Sequence, residues 1–406
     1  KKTLRTKMDA IRRFGLEYCD LPTMLWNVGV MLRILILNID SSYKKRPHIL
    51  FYIFTFLCIT CYFYVYLIST IYYVGWMYPK IQNTVSTLIL LSLGMSSEIG
   101  TTKYIYMYFE RKRLVEIIDD MRICDSTVPT NSRMEANIYK TLRNVKRRAI
   151  IFWLIIMLNG IVYIGMPLVL PGQHLIEDQN CNISGLEPMF ESPNYEIAYT
   201  MTSIAVVQVV FVPANVTALF IILIGYIEAQ MSALTAEFEN LYSDAEENRT
   251  LTNQNIDDYI KNRLQELILR HSTVITLLRR LENVYRVVIA VEFILLVIGV
   301  IFELLGGLEN TYMEIPYAFM QVFMDCLTGQ RLLEASLAFE KAIYFSKWEE
   351  FNCENRRTLV TILLCSQKSL TLSAGGVTVL AYTSFLSIVR SVYSAYATLS
   401  RVVHRV

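Results

Sequence analysis

The chain has 406 residues, 54 % of them hydrophobic and 18 % charged, with a mean hydropathy of +0.37. Ordinary soluble domains carry about a quarter charged residues, so this composition excludes a typical soluble domain and points to a multi-span, all-α membrane protein. A formal charge of +2 offers no general attraction for nucleic acid, and the information lies in where the basic residues sit.

The N-terminus opens Lys1-Lys2-Thr3-Leu4-Arg5 and stays charged to Arg13, which is not the basic start, apolar core and small-residue site of a secretory signal. It is expected to be retained and cytoplasmic. Residues 21–39 are apolar but interrupted by Asn27, Arg33 and Asn38, too broken for a span of about 20 residues, and read as an interfacial or re-entrant helix. Span one covers residues 48–77, and span two runs from about 81 to 109 with an amphipathic extension to Arg122. Span three covers 149–170, behind Arg143, Lys146, Arg147 and Arg148, and ends at Pro171-Gly172. Span four, 197–227, continues as an amphipathic helix to Tyr242. Residues 243–257 have the low hydrophobicity of a mobile loop.

Span five, 287–305, follows an amphipathic helix over 258–286 with apolar residues at helical spacing. Span six covers 315–339. Its second half holds Asp325, Gln330, Arg331 and Glu334, so that half is expected to pack against protein outside the hydrocarbon. The last 50 residues read as a helix with Arg356, Arg357, Gln367 and Lys368, a break at Ser373-Ala374-Gly375-Gly376, and a hydroxyl-rich helix. Thr378, Thr383, Ser384, Ser387, Arg390, Ser391, Ser394 and Thr398 in one span would each cost free energy in hydrocarbon. A helix that lines water accommodates them.

Lys and Arg number 10 in residues 1–48, 10 in 110–148, 6 in 228–285 and 6 in 331–368, with none in 171–196 or 303–316. Positive residues concentrate in cytoplasmic loops, which predicts seven spans with the N-terminus inside and the C-terminus outside. The Asn182-Ile183-Ser184 sequon then falls outside the cell, where Asn182 is a candidate glycosylation site. Three regions follow: 1–48, a cytoplasmic N-terminus; 49–352, spans one to six with cytoplasmic extensions; and 353–406, the seventh helix, with an anchor half at 353–373 and a pore-lining half at 374–403.

Ala374-Gly375, Phe385-Leu386-Ser387-Ile388-Val389-Arg390-Ser391, Tyr393-Ser394 and Leu399 match the last-helix signature of insect odorant receptors, and the inverted seven-span plan resembles that family throughout. Phe14-Gly15-Leu16-Glu17-Tyr18-Cys19-Asp20-Leu21-Pro22 resembles the N-terminal region of moth sex-pheromone receptors. The resemblance implies an odorant- or pheromone-gated, nonselective cation channel in the plasma membrane of an olfactory sensory neuron. It further implies a heterotetramer with odorant receptor co-receptor subunits, a shared anchor built from the cytoplasmic extensions, and a central pore lined by the last helix. Gly376-Val377-Thr378 and Thr383 depart from the family pattern, which often has aromatics and an acidic residue there.

The same resemblance puts the ligand pocket in the outer half of spans two, three, four and six. Residues at that depth are Thr87 and Leu90; Asn159, Val162, Tyr163 and Met166; Tyr199, Thr202 and Val206; and Tyr317, Met320 and Met324. Aliphatic, Met and Tyr side chains with few hydroxyls suit a volatile hydrophobic ligand with one polar group, though Tyr and Met stripes are also ordinary helix packing. On the last helix Ser391, Ala395, Thr398 and Val402 share a face, the candidate pore face, with Leu399 as the alternative. If that face is the pore, the resemblance implies that Thr398 and Val402 stand where the co-receptor places its hydrophobic gate. Arg390 is expected to pair with a carboxylate or snorkel.

Catalysis, cofactors and metals find no support: His48, His174, His271 and His404 are isolated, and the eight cysteines lack metal or disulfide spacing. Cys58 and Cys61, a CxxC inside an apolar run, read as packing. A gustatory-type homomeric channel and a G-protein-coupled receptor are the alternative readings; the latter requires the opposite orientation.

Overall fold

The computed structural model describes residues 12–41, 47–78, 84–172, 174–175, 183–252, 255–307 and 313–403. The first helix, α1 (Leu21–Ile34), begins where the Asp20 carboxylate accepts from the backbone N–H of Thr23 at 3.0 Å and from its hydroxyl at 2.8 Å, with Pro22 in the first turn. Its Leu21, Met24, Leu25, Val28 and Leu32 are buried. It is therefore a docked helix, with one apolar side pressed on the bundle.

Next come α2 (Ile49–Met77), which contains two wide π-type segments at Phe63–Ile68 and Tyr73–Met77, α3 (Thr84–Ser126) and α4 (Arg133–Val169). A reciprocal cap starts α4: Ser132 accepts from Glu135 N–H at 3.1 Å, and Glu135 accepts from Asn131 N–H. Helix α5 (Asn194–Glu239) is the central post, buried for most of its length and packed on α1, α2, α3, α4 and α8. After α6 (Leu241–Thr252) come α7 (Ile256–Gly306), which runs along α3, and α8 (Glu314–Tyr344), which runs along α5.

Helix α9 (Cys353–Ser366) leads to a short hairpin of β1 (Ser373–Ala374) and β2 (Thr378–Val379), and then to α10 (Tyr382–Val403). The hairpin turns through Gly375 and Gly376 at φ +63° and +78°, a region that favours glycine. It is pinned to α7 by Gly375 N–H on the Arg286 carbonyl (2.8 Å) and by the Ser373 hydroxyl on Glu282 (2.6 Å).

The expected mobile loop at 243–257 is largely helix. Leu241 and Ala245 are buried there, and Asp244 pairs with Arg133 at 2.6 Å, so tertiary contacts compensate for a composition that would not order itself. Among the described residues, α2, α4, α5 and α7 are long and apolar enough to cross a membrane by themselves. The other expected spans, α3, α8 and α10, are more polar. Helices α3 and α8 turn their polar groups into the bundle, and α10 leaves its hydroxyls outside it.

Candidate functional site: a helical cleft and an open last helix

A cleft sits where α2, α3, α4, α5 and the start of α8 converge, lined by Tyr66, Leu93, Ser96, Ser97, Asn159, Gly160, Tyr163, Val206, Val209, Val210, Met313, Glu314 and Tyr317. Four expected pocket residues, Asn159, Tyr163, Val206 and Tyr317, come together here. Asn159 donates to the Met313 carbonyl at 3.0 Å and Tyr317 to the Val209 carbonyl at 3.1 Å. The Glu314 carboxylate stands between the Tyr163 and Ser92 hydroxyls at 3.5 Å from each, at the long limit of hydrogen bonding. Gly160 allows α4 to approach α5, because a Cβ there would meet Val210 at 2.8 Å.

The remaining expected pocket residues do not line this cleft. Thr87, Leu90, Thr202 and Met324 are buried among helices, Met320 is half-buried, and Val162 and Met166 face outward. Tyr199 donates to the Ile164 carbonyl at 2.8 Å. Conversely, Tyr66, Ser96, Ser97 and Glu314 escaped the sequence reading. Leu93, Ser96 and Ser97 share a helical face with hydroxyls inside an apolar span, a pattern that could have drawn attention. The cavity is about 50 Å³, well below the several hundred Å³ of a typical small-molecule site.

Below the cleft lies a polar knot. Lys103 of α3 is 4 % exposed and pairs with Glu292 of α7, itself 1 % exposed, at 2.6 Å. Its ammonium also donates to Thr217 of α5 at 2.7 Å and to Gln321 of α8 at 3.2 Å. One ion pair and two hydrogen bonds thus tie this ammonium to three other helices. Asp325 of α8 is buried beside the Glu292 carboxyl, whereas Arg331 and Glu334, expected in the same half of span six to pack against protein, are exposed and pair with each other at 3.0 Å. Ser96 donates to Glu303 of α7 at 3.1 Å.

Along α8, Tyr317 on the cleft, Gln321 and Asp325 in the knot and Gly329 follow one another at four-residue spacing, which places them on one helical face. Gly329 abuts the segment entering α10, where any Cβ would run into the Leu380 carbonyl.

Helix α10 rests on α7 and α8 through Val392, Phe385 and Ile388, with Phe385 edge-on to Phe323 at 5.5 Å. Ser391 and Thr398 are exposed, Ala395 is half-buried, and Leu399 is partly exposed beside them. They line an open groove together with Ser387, Arg390 and Ser394. Thr398 donates to the Ser394 carbonyl at 2.9 Å. Arg390 lies on the groove and makes no ion pair among the described residues, which leaves snorkelling of the two alternatives expected for it. The Val402 side chain and Asn182 lie outside the described residues.

Comparison with known proteins gives a consistent result. A family model described as 7tm Odorant receptor matches residues 84–393. Odorant receptor 82a of Drosophila melanogaster is 27 % identical over 194 residues, 46 % of this chain and 48 % of that protein. The match thus spans about half the length of this curated relative. The structure of the insect olfactory receptor OR5 from Machilis hrabei in complex with eugenol superposes with a TM-score of 0.74 at 15 % identity, covering 94 % of this chain and 98 % of that one. A second structure of the same receptor gives 0.71 at 14 % identity, covering 93 % and 98 %. At such identities the structural likeness speaks for the seven-span fold.

Proposed function

The chain belongs to the 7tm odorant receptor family, and on that premise we propose that it is the ligand-tuned subunit of an odorant-gated, nonselective cation channel. It is a multi-pass membrane protein, and the distribution of Lys and Arg supports a cytoplasmic N-terminus and an extracellular C-terminus. The cleft formed by Asn159, Tyr163, Val206, Tyr317 and Glu314 is the ligand site of this reading. Its apolar walls would supply affinity by area burial and its few polar groups orientation. A volatile hydrophobic ligand, pheromone-like in having a long chain and one polar group, suits it once the lining side chains move apart.

The observation that carries the proposal is the continuous buried face of α8, from Tyr317 through Gln321 and Asp325 to Gly329 against Leu380. Ligand that displaces Tyr317 would shift α8 as a rod, and midway along its length, at Gly329, the rod bears on the segment entering the pore helix. Ser391, Ala395, Thr398 and Val402 would then line the conduction path, with Leu399 at its edge. The groove is open to the outside of the bundle, and in this reading four subunits would close it into a pore. In the plasma membrane of an olfactory neuron, the partners would be co-receptor subunits, with the cytoplasmic ends of α3, α5, α7 and α9 as shared anchor and Asn182 glycosylated.

The test is co-expression with the co-receptor and a screen of volatile ligands. A ligand-evoked, nonselective cation current is expected. Tyr163→Phe should change ligand ranking, whereas Thr202→Val, off the cleft, should not. Silence across the panel with the receptor at the surface would overturn the reading.

A further inference from the structure

A second cavity, separate from the ligand cleft, lies between α1, α4 and α5 at the end of the bundle where basic residues gather. It measures about 250 Å³ against about 50 Å³ for the cleft. Its walls are apolar, with Met24 and Val28 from α1, Ile150 and Trp153 from α4, and Ala218 from α5. Leu154 at its rim is 53 % exposed on the outer side of span three, so the cavity opens toward the side that lipid would occupy.

The polar groups are few and specific. The Asn27 side chain lines the cavity and is 8 % exposed. Its Nδ2 donates to the Arg13 carbonyl at 2.8 Å, which fixes the amide orientation because that carbonyl can only accept. Its Oδ1 is buried with no hydrogen-bond partner among the described residues. Lys146, also lining the cavity and 3 % exposed, donates to the same Arg13 carbonyl at 2.8 Å and to the Tyr18 carbonyl at 2.5 Å. One of its three ammonium donors remains for something else. Asn27 and Lys146 therefore converge on one carbonyl, an unsatisfied acceptor beside an unfilled donor. Trp153 is already committed, donating to Asn215 at 3.2 Å.

We propose that this cavity binds a neutral, hydroxyl-headed membrane amphiphile, its hydroxyl accepting from Lys146 and donating to Asn27 Oδ1 while its hydrocarbon fills the apolar space. A phosphate or carboxylate would satisfy Lys146 but would set lone pairs against the Asn27 oxygen. An amine would face the Lys146 ammonium. Water alone could bridge the polar pair, but it would leave the apolar remainder of the cavity without favourable contacts. Both a sterol and a fatty alcohol or monoacylglycerol carry the required chemistry.

The full-length receptor in phosphatidylcholine nanodiscs tests this with photoactivatable cholesterol in one arm and a photoactivatable long-chain alcohol in the other. Saturable labelling of α1 and α4 by either probe is expected, and the arm that labels names the source. Unlabelled stearyl alcohol should compete in the alcohol arm while stearate does not, a discrimination read in the wild type alone. Asn27→Leu removes the acceptor and should weaken labelling about three- to tenfold, the worth of one hydrogen bond; Ala218→Phe fills the space and should abolish it. Labelling needs neither odorant nor current, so its outcome is independent of the channel reading. Absence of saturable labelling in both arms, equal competition by stearate, or undiminished labelling in both variants would overturn the proposal.

Discussion

Lys103 turns its charge inward, tying α3 to α7 by an ion pair and to α5 and α8 by hydrogen bonds from a position that water does not reach. Removing one partner of a buried ion pair leaves the other charge uncompensated, at a cost of about 3–5 kcal/mol. Lys103→Met should therefore lower the melting temperature of the detergent-solubilised protein and its surface expression. Adding Glu292→Gln to that variant should restore part of the loss, because it removes one of the stranded carboxylates. His271, on the part of α7 that precedes its apolar stretch, shows the opposite situation. Its ring is buried against Phe339 at 4.6 Å, and burial pushes its pKa down to about 4. The unfolded chain takes up the proton near the ordinary value of 6.5, so the stability of the neutral form is present above about pH 6.5 and is lost as pH falls toward 4. Between pH 7 and 5 the loss should reach about 2 kcal/mol. Thermal melts at the two pH values, compared with those of His271→Phe, measure it; an equal pH dependence in the variant would remove His271 as the cause.

At the level of elements, α8 is the connection between cleft and last helix, and Gly329 is where the connection is tightest. The missing Cβ lets α8 touch the backbone at Leu380, a contact no other residue type could keep without displacement. Gly329→Ala should leave ligand selectivity intact while altering gating: the maximal current falls, or basal current rises, without a change in the order of ligand potencies. Dose–response curves in the heteromer separate these effects from a change in binding. The elements themselves were largely legible from sequence, because hydrophobic runs and basic clusters report directly on spans and their ends. Helix α6 was not legible. Its polarity reads as loop, and only the burial of Leu241 and Ala245 and the Asp244–Arg133 pair give it a reason to be ordered.

At the scale of the whole molecule, α10 is incompletely covered. Leu386 and Tyr393 are exposed, and the groove over Ser391 and Thr398 is open, a surface that the proposed tetramer would cover. If α10 lines the pore of that assembly, a threonine at position 398 would seal less well than an aliphatic side chain, since dewetting needs an apolar ring. Thr398→Val should lower ligand-independent current in the heteromer while preserving the evoked response. An unchanged basal current would place the seal elsewhere, on Leu399 or on the partner subunits.

The sequence by itself determined that this chain crosses the membrane repeatedly, where its basic residues cluster, and that its last helix is rich in hydroxyls, because these follow from local hydropathy and charge. It also supplied four of the residues that meet in the cleft: Asn159, Tyr163, Val206 and Tyr317. Tertiary structure alone decided that Glu314 and Ser96 join them, that Thr202 and Met166 do not, and that Lys103 is the centre of a four-helix knot. Helical periodicity tells which residues share a face. Which face meets which neighbour depends on contacts between residues a hundred or more positions apart, such as Lys103 with Thr217 and Gln321, and no local pattern encodes those.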